Sequence, residues 1–460
     1  MKHLLAPLLE KRRLLILGFG KEGQSTFRYI RAQFPAIPVA IADMDDHLEE
    51  RAGSRLKQPG VTLFTGSGYL ESLALYDMII KSPGVALPAD YEVRPGTLLT
   101  SQTRLMLKAF QRNIIGITGT KGKSTTSSLT HHLISTSGLP SVLVGNIGLP
   151  PFDYLDRIGE DTRIVYEMSS HQLEDAILAP HIAVLLNLYP EHLDRYSSPE
   201  AYYSAKMRIL AFQPDGDTFI YNEDIPGIVE RIRTTGAKRR FLSFSAGFRM
   251  NEGCYLSDGK ILLRHDGKDS LVATAGEDEY HLKGQHNRMN MMAAVLAARE
   301  AGASEDAIKE GLKTFKGLEH RLEYVGMNGG IHFYNDSIAT IPEATMAAVR
   351  ALPSTDTLIL GGYDRGLDYS ALVNFLCQSD VRNFFFLGKA GERIYNGMKA
   401  ASKEDKHLYP VGSLQEAFKL IFHVTGKGKI CLLSPAAASY DSFRNFEERG
   451  HIFKKIARGE

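Results

Sequence analysis

Residues 116–125 read GITGTKGKST, and they hold the strongest chemical signal in the chain. An apolar run leads in, and TSSLTHHLIST continues with a helical pattern. Glycines and small residues between a strand and a helix let several backbone N–H groups turn toward one anion, and the helix N-terminus adds its dipole. In such a loop Lys123 reaches terminal phosphates and the Ser124 hydroxyl holds Mg²⁺. The strict pattern GxxxxGK[ST] is not met, because Ile117 stands where its first glycine belongs and Gly119 makes the loop shorter. A glycine-rich turn with solvated lysines is the competing reading. Strand, loop, Lys-Ser and helix together point instead to nucleotide binding.

Other polar residues end apolar runs in the same stretch: Thr118, Asn146, Glu167 and Asn187. Ligands of open α/β sheets sit outside the carboxyl ends of strands, so position alone makes these four candidates. A carboxylate such as Glu167 at a neighbouring strand end commonly holds the metal of a phosphoryl-transfer site, and buried without a cation it would be costly. His192, in NLYPEHLDRY, is placed to ligate a second metal or meet a phosphate, although a lone histidine is more often structural. His131 and His132 fall inside the helix after the loop and read as structural. Lys206 lies in PEAYYSAKMRILAF, an amphipathic stretch whose composition places it facing solvent. Nearer the N-terminus, Gly18, Gly20 and Gly23 form GxGxxG after a strand, and Asp43 stands near the expected position of a ribose-binding acid. A tight turn plus a helix N-terminus binds any pyrophosphate, including that of a UDP-sugar. A dehydrogenase reading leaves the loop at Lys123 unexplained.

The elements that must position these groups form three α/β modules. At roughly 150 residues per domain, the 460-residue chain has length for about three. The first module has strands at RLLIL, VAIAD and DMIIK, alternating with helical patterns, which predicts a parallel sheet covered on both faces. The second begins near Ser101, with strands in NIIGIT, SVLVGN, RIVYE and HIAVLLN. From Asp215 to about Lys283 the short pieces FIYNED, RFLSFS, CYLSDGKILLRHDG and EYHLKG predict a small antiparallel insertion, with Asp258-Gly259 as a hairpin turn. A helix over NRMNMMAAVLAARE follows, closed by Gly302, with Met289, Met291 and Met292 packing. The third module starts near Leu318, with strands TLILGG, NFFFLG and KICLLS.

Composition narrows the function classes. Lys plus Arg is 54 against 53 for Asp plus Glu, which disfavours a nucleic-acid binder relying on bulk charge. Cys254, Cys377 and Cys431 are odd in number and widely spaced, so neither a disulfide framework nor a cysteine zinc site is favoured. No apolar run reaches the roughly 18 residues of a membrane span, and MKHLLAPLLEKRR is a poor signal peptide. A soluble protein of a reducing compartment, the cytoplasm, is expected.

Taken in order, LGFGKEG, SPGV, TGTKGKST, GNIGLP, EMSSHQLE, EHLDRY, AKMRI, KGQHN, GLEHRLE, NDS and LLSPAAASYDSFRNFEERG resemble the Mur ligases over nearly the whole length, the glutamate-adding branch above all. The resemblance implies three domains: a UDP-substrate-binding Rossmann-like domain over 1–101, a central P-loop ATPase over 102–318 and a Rossmann-like amino-acid-binding domain over 319–460. It implies ATP and Mg²⁺ as cofactors, a monomer, and UDP-N-acetylmuramoyl-L-alanine and glutamate as substrates, joined through an acyl phosphate in peptidoglycan precursor synthesis.

Site roles follow from the same resemblance. Gly119, Thr120, Lys121, Gly122, Lys123, Ser124 and Thr125 would cradle ATP, and Asn287 would contact adenine. Arg321 and Asp336 would reach the nucleotide from the third domain. Ser124 and Glu167 would bind one Mg²⁺, His192 would serve a second, and Lys206 would be carbamylated into an anion suited to metal. Glu22, Asp43, Gly84 and Asn146 would hold the UDP-substrate, and Thr340, Arg365, Ser439 and Phe446 the glutamate. Two departures stand out: Ile338 replaces a lysine common in the family, and Arg365 stands where a glutamate-binding lysine is usual. Arginine still grips a carboxylate, with a bidentate fork. D-glutamate is the commoner substrate. An L-glutamate branch, a sister ligase, a folate-polyglutamate-type ligase and a non-catalytic binding module are the alternatives.

Overall fold

The computed structural model describes residues 1–88, 91–192, 195–234, 239–247, 249–274, 282, 284–401 and 405–460. They form three sheets, each built largely of parallel strands. The chain divides into two compact units: residues 1–277 with 285–314, and residues 278–284 with 315–460.

The first unit contains two sheets. The smaller has the strand order Val61–Thr65, Val39–Asp43, Leu14–Leu17, Met78–Lys81, Leu98–Thr100, all parallel. Leu14–Leu17 is buried at every position, as an unbroken apolar run must be when both faces of its sheet are covered. The edge strands Val61–Thr65 and Leu98–Thr100 carry no such run and give no clear signal in the sequence. The second sheet has nine strands, with Ile114–Thr118 between Arg163–Glu167 and Ile182–Leu185. One apolar cluster extends from Leu5 through Ile114 to Ile228, so the two sheets share a core and form one unit.

The antiparallel insertion is smaller than the sequence suggests. Thr218–Asn222 and Arg240–Ser245 pair in parallel with each other and continue the main sheet. The helix Pro226–Arg233 crosses between them, and a crossover of that kind returns a strand in parallel. Among the described residues of this stretch, the antiparallel pairs are Gly253–Ser257 with Lys260–His265 and Lys260–His265 with Lys268–Thr274, and Gly253–Ser257 also joins Arg240–Ser245 in parallel. Asp258-Gly259 makes the expected hairpin turn, with φ of +49° and +72°. Positive φ at both central residues is the requirement of that tight turn. The EYHLKG piece lies outside the described residues except for Leu282 and Gly284. After it, the helix Gln285–Glu300 runs as expected, and Gly302 closes it at φ +100° with its N–H on the Arg299 carbonyl.

The second unit is a six-stranded sheet ordered Glu323–Asn328, Ile331–Asn335, Ile430–Leu433, Thr355–Gly361, Asn383–Leu387, His407–Pro410. Apolar clusters cover both its faces. Its first two strands form a hairpin around Gly329 and Gly330. The carboxyl ends of Ile331–Asn335, Ile430–Leu433 and Thr355–Gly361 therefore lie side by side. Among the described residues no helix is long and apolar enough to cross a membrane.

The glycines of GxGxxG divide their work. A Cβ at Gly23 would come within 2.0 Å of the Gly18 carbonyl oxygen, whereas one at Gly20 would meet nothing within 4 Å. Gly23→Ala should therefore cost about 1–3 kcal/mol in urea unfolding, the usual range for overpacking. Gly20→Ala, at φ −69°, should stay within about 0.5 kcal/mol of the parent. Equal losses in the two variants would contradict the packing argument.

Candidate active site

The phosphate-type loop leaves Thr118 at the end of its strand and enters the helix Lys123–Thr136 through Gly122. Gly122 sits at φ +86°, and a Cβ there would lie 2.3 Å from Asn290 Oδ1. No side chain caps this helix, so its first-turn N–H groups are available to an anion. Asn187, at the end of the neighbouring strand run, fixes the loop: its Oδ1 accepts from Lys121 N at 2.8 Å and its Nδ2 donates to Lys121 O at 3.0 Å. Thr120 is tied to Tyr189 through its hydroxyl, and Lys121 pairs with Glu191. Thr125 is buried below the loop, and Ser124 is half-buried on the first helical turn.

Positive charge gathers at this loop. Lys123 Nζ donates to the carbonyls of Gly119 and Thr120, both at 2.9 Å. Lys206 Nζ donates to the same Gly119 carbonyl at 2.8 Å. Composition placed Lys206 in solvent, but it is only 1% exposed, with its ammonium over the Tyr202 ring. Burial, and then the Lys123 charge, bring its pKa down to about 7. A buried ammonium beside another is the less favoured form, as desolvation and like charge require.

Glu167 supplies the opposite charge. It is fully buried at the end of Arg163–Glu167, paired in register with the loop strand at Ile117. Asn146 Nδ2 donates to Oε1 at 2.9 Å, and Oε2 has no hydrogen-bond partner. An enclosed, half-satisfied carboxylate beside a phosphate-type loop fits a hard divalent cation. His192 is exposed at φ +58°, with its ring 5.3 Å from that of His171 and 5.9 Å from that of Tyr202. His171, which sequence reasoning missed, has a buried Nε2 without a partner, and burial lowers its pKa to about 4. Asn287 is buried at the start of the helix that packs beside Gly122, and its Oδ1 accepts from Asn290. His131 and His132 bond Ser141 and Thr314, as structural histidines do.

The first module places its candidates around the Gly18–Gly23 turn. Asp43 accepts from Phe19 N at 2.5 Å and Asp45 N at 2.9 Å, so its carboxylate staples the turn to the neighbouring strand end. Gly84 is exposed, and its carbonyl accepts from Arg195. Glu22 Oε1 accepts from Gln172 Nε2 at 2.8 Å, while its Oε2 is closed off without a partner. Desolvation raises the Glu22 pKa to about 7 against the pull of Gln172 and Lys81. Lys81, also unrecognised in the sequence, is 5% exposed and pairs with Asp175 at 2.9 Å.

In the second unit Asp336 is buried between Leu322 N and the Ser434 hydroxyl, and burial raises its pKa to about 7. Arg321 is exposed near it, and Thr340 is half-buried two residues beyond Ile338. Arg365 lies with its guanidinium 5.7 Å from the centre of the Tyr440 ring. Ser439 is 1% exposed, and its hydroxyl has no partner. Phe446 opens the last helix, and its carbonyl accepts from Ser337. Asp336, Arg365 and Ser439 thus follow three adjacent parallel strands.

Glu22 generates a pH signature. Its folded pKa lies above the unfolded value of 4.5, so the ionised form destabilises the fold. That destabilisation grows as pH rises from about 4.5 through 7 and is complete above. Glu22→Gln should gain up to about 3 kcal/mol at pH 8 and little at pH 4.5. Denaturant titrations at the two pH values check this, and an equal effect at both would contradict the burial argument.

Comparison with known proteins places this geometry. The Mur ligase middle domain matches residues 117–298. A protein of Symbiobacterium thermophilum named UDP-N-acetylmuramoylalanine–D-glutamate ligase is 32% identical over 451 residues, covering 97% of this chain and 98% of that one. A protein of the same name from Acidobacterium capsulatum is 34% identical, covering 97% and 96%. Among solved structures, UDP-N-acetylmuramate-alanine ligase of Thermotoga maritima aligns with a TM-score of 0.57 at 16% identity, covering 97% of this chain and 99% of that one. A second Thermotoga maritima structure, a MurF ligase in complex with ADP, has the same TM-score at 16% identity, covering 97% and 95%. At such identities the solved structures bear on the fold alone. With a phosphate-type loop inside the matched middle domain and relatives this similar along almost their whole length, the chain belongs to the Mur ligase family.

Proposed function

We propose that the protein is an ATP-dependent ligase that adds D-glutamate to UDP-N-acetylmuramoyl-L-alanine, in the cytoplasmic synthesis of peptidoglycan precursors. One arrangement carries the reading: the side-chain nitrogens of Lys123 and Lys206 share the Gly119 carbonyl at an uncapped helix N-terminus, beside a buried carboxylate whose second oxygen has no hydrogen-bond partner among the described residues. Such a site is built for a polyanion and its cation. The choice of D-glutamate follows the names of relatives 32–34% identical to this chain.

In this reading residues 1–101 hold the UDP-substrate through Glu22, Asp43 and Gly84, with Asn146 contributing from the next domain. Residues 102–318 hold ATP through the 119–125 loop and Asn287. Residues 319–460 hold glutamate through Thr340, Arg365, Ser439 and Phe446, and Arg321 and Asp336 are their contacts to nucleotide. The acceptor carboxylate takes the γ-phosphoryl group, giving an acyl phosphate and ADP. The free-base amine of glutamate then attacks the acyl carbon, and phosphate leaves. Lys123 and the first-turn N–H groups are fixed where negative charge develops, so they need little reorganisation. Ser124, Glu167, His192 and a carbamylated Lys206 are the proposed holders of Mg²⁺, which would neutralise phosphate charge when bound. A Lys206 pKa of about 7 makes the neutral amine abundant at working pH, and that is the form that adds CO₂ with loss of a proton.

Purified protein given the acceptor, ATP, Mg²⁺ and D-glutamate should release phosphate and form the ligated product, and L-glutamate should give far less. Phosphate release with neither enantiomer would end the assignment, and release with L-glutamate alone would transfer it to the L-glutamate branch. Lys206→Ala should lose about two orders of magnitude or more in kcat, the scale of a lost electrostatic stabiliser. A short carboxylic acid should restore part of the loss, and near-normal turnover without it would remove the carbamate.

A further inference from the structure

Arg449 lies in the first turns of the helix Phe446–Arg458 and is 1% exposed; the charge of Asp441 acts on it, but among the described residues no carboxylate hydrogen-bonds its guanidinium. The group instead spends its N–H donors on three separate pieces of backbone. Nε donates to Ser337 Oγ at 3.0 Å, and Nη2 to the Ser337 carbonyl at 2.8 Å. Nη2 also reaches the Ala437 carbonyl at 3.1 Å. Nη1 reaches the carbonyls of Ala438 at 3.3 Å and Gly361 at 3.4 Å. These acceptors follow, or end, the three adjacent strands that carry Asp336, Ser439 and Arg365.

The surroundings are shaped for this group. A Cβ at Gly362 would lie 3.1 Å from Arg449 Nη1 and 2.2 Å from the Ala438 carbonyl. A Cβ at Gly450 would lie 2.1 Å from His320 Nδ1, so a glycine there lets the helix approach closely enough to bury its neighbour. Ala436 is held at φ +57°, a strained value for a residue with a side chain, directly before the two carbonyls that Arg449 grips. Ser439 comes next, 1% exposed, with a hydroxyl that has no hydrogen-bond partner among the described residues.

We propose that Arg449 is the positioning residue of the amino-acid site: it clamps Ala437 and Ala438 against Ser337 and Gly361, and so aims the Ser439 hydroxyl at a carboxylate of the incoming amino acid. The inference rests on the proposed ligase activity.

The test compares Arg449→Lys, Ser439→Ala and the double variant in steady-state kinetics, with thermal unfolding run alongside. Lysine keeps the charge but cannot reach three backbone segments at once. Arg449→Lys should raise KM for glutamate about tenfold, the effect of one lost hydrogen bond to a charged group. KM for ATP should stay within about twofold, a shift too small to count as a lost contact. In the Ser439→Ala background the same change should add little, because neighbours acting through one group are not additive. Ser337→Ala removes one acceptor with a smaller disturbance and should move KM in the same direction if the lysine variant fails to fold. Independent, multiplicative effects of Arg449 and Ser439, or equal rises in KM for all substrates, would overturn the proposal. An inactive parent protein would instead refute the ligase reading, so the two failures are distinguishable.

Discussion

Two lysine side chains donating to one carbonyl oxygen is an arrangement that a protein must build against its own electrostatics. Lys123 and Lys206 both donate to Gly119 O, and Lys206 does so from a buried position. Burial and the neighbouring Lys123 charge disfavour the ammonium form of Lys206 and bring its pKa down to about 7. The imbalance is relieved by a polyanion, which the uncapped helix at Gly122 also attracts. Glu167 has the complementary deficit, a buried carboxylate with one oxygen unbonded. The apolar cores of the first unit hold these unfavourable groups in register.

The second unit solves a related problem differently. Arg449 brings a charge into the core, and its hydrogen bonds go to backbone carbonyls and the Ser337 hydroxyl. Each acceptor is weak, but together they join three strand ends that no local signal would bring together. Asp336, buried between a backbone N–H and Ser434, and Ser439, buried with an idle hydroxyl, lie at the same strand ends. Stored polar capacity of this kind is costly in a core and persists where a ligand completes it.

Much of the fold was legible because its signals are short-range. The strands of NIIGIT and RLLIL are largely apolar runs, and the Asp258-Gly259 hairpin depends on two residues that tolerate positive φ. The order of Thr218–Asn222 and Arg240–Ser245 was not legible, since a short strand carries no mark of the direction of its neighbour. The edge strands of the first sheet stayed silent because half-buried edges tolerate mixed composition.

The sequence by itself determined the loop that faces an anion, the residue types around it and the resemblance that links distant motifs, because each of these is written in neighbouring residues or in their order. Tertiary structure alone decided that Lys206 is buried rather than solvated, that Asp43 accepts from the N–H groups of Phe19 and Asp45, and that Arg449 ties Ser337 to Ala437 and Ala438. Burial and hydrogen-bond partnership are set by which chain segments meet across the core, and no local pattern encodes a neighbour a hundred residues away.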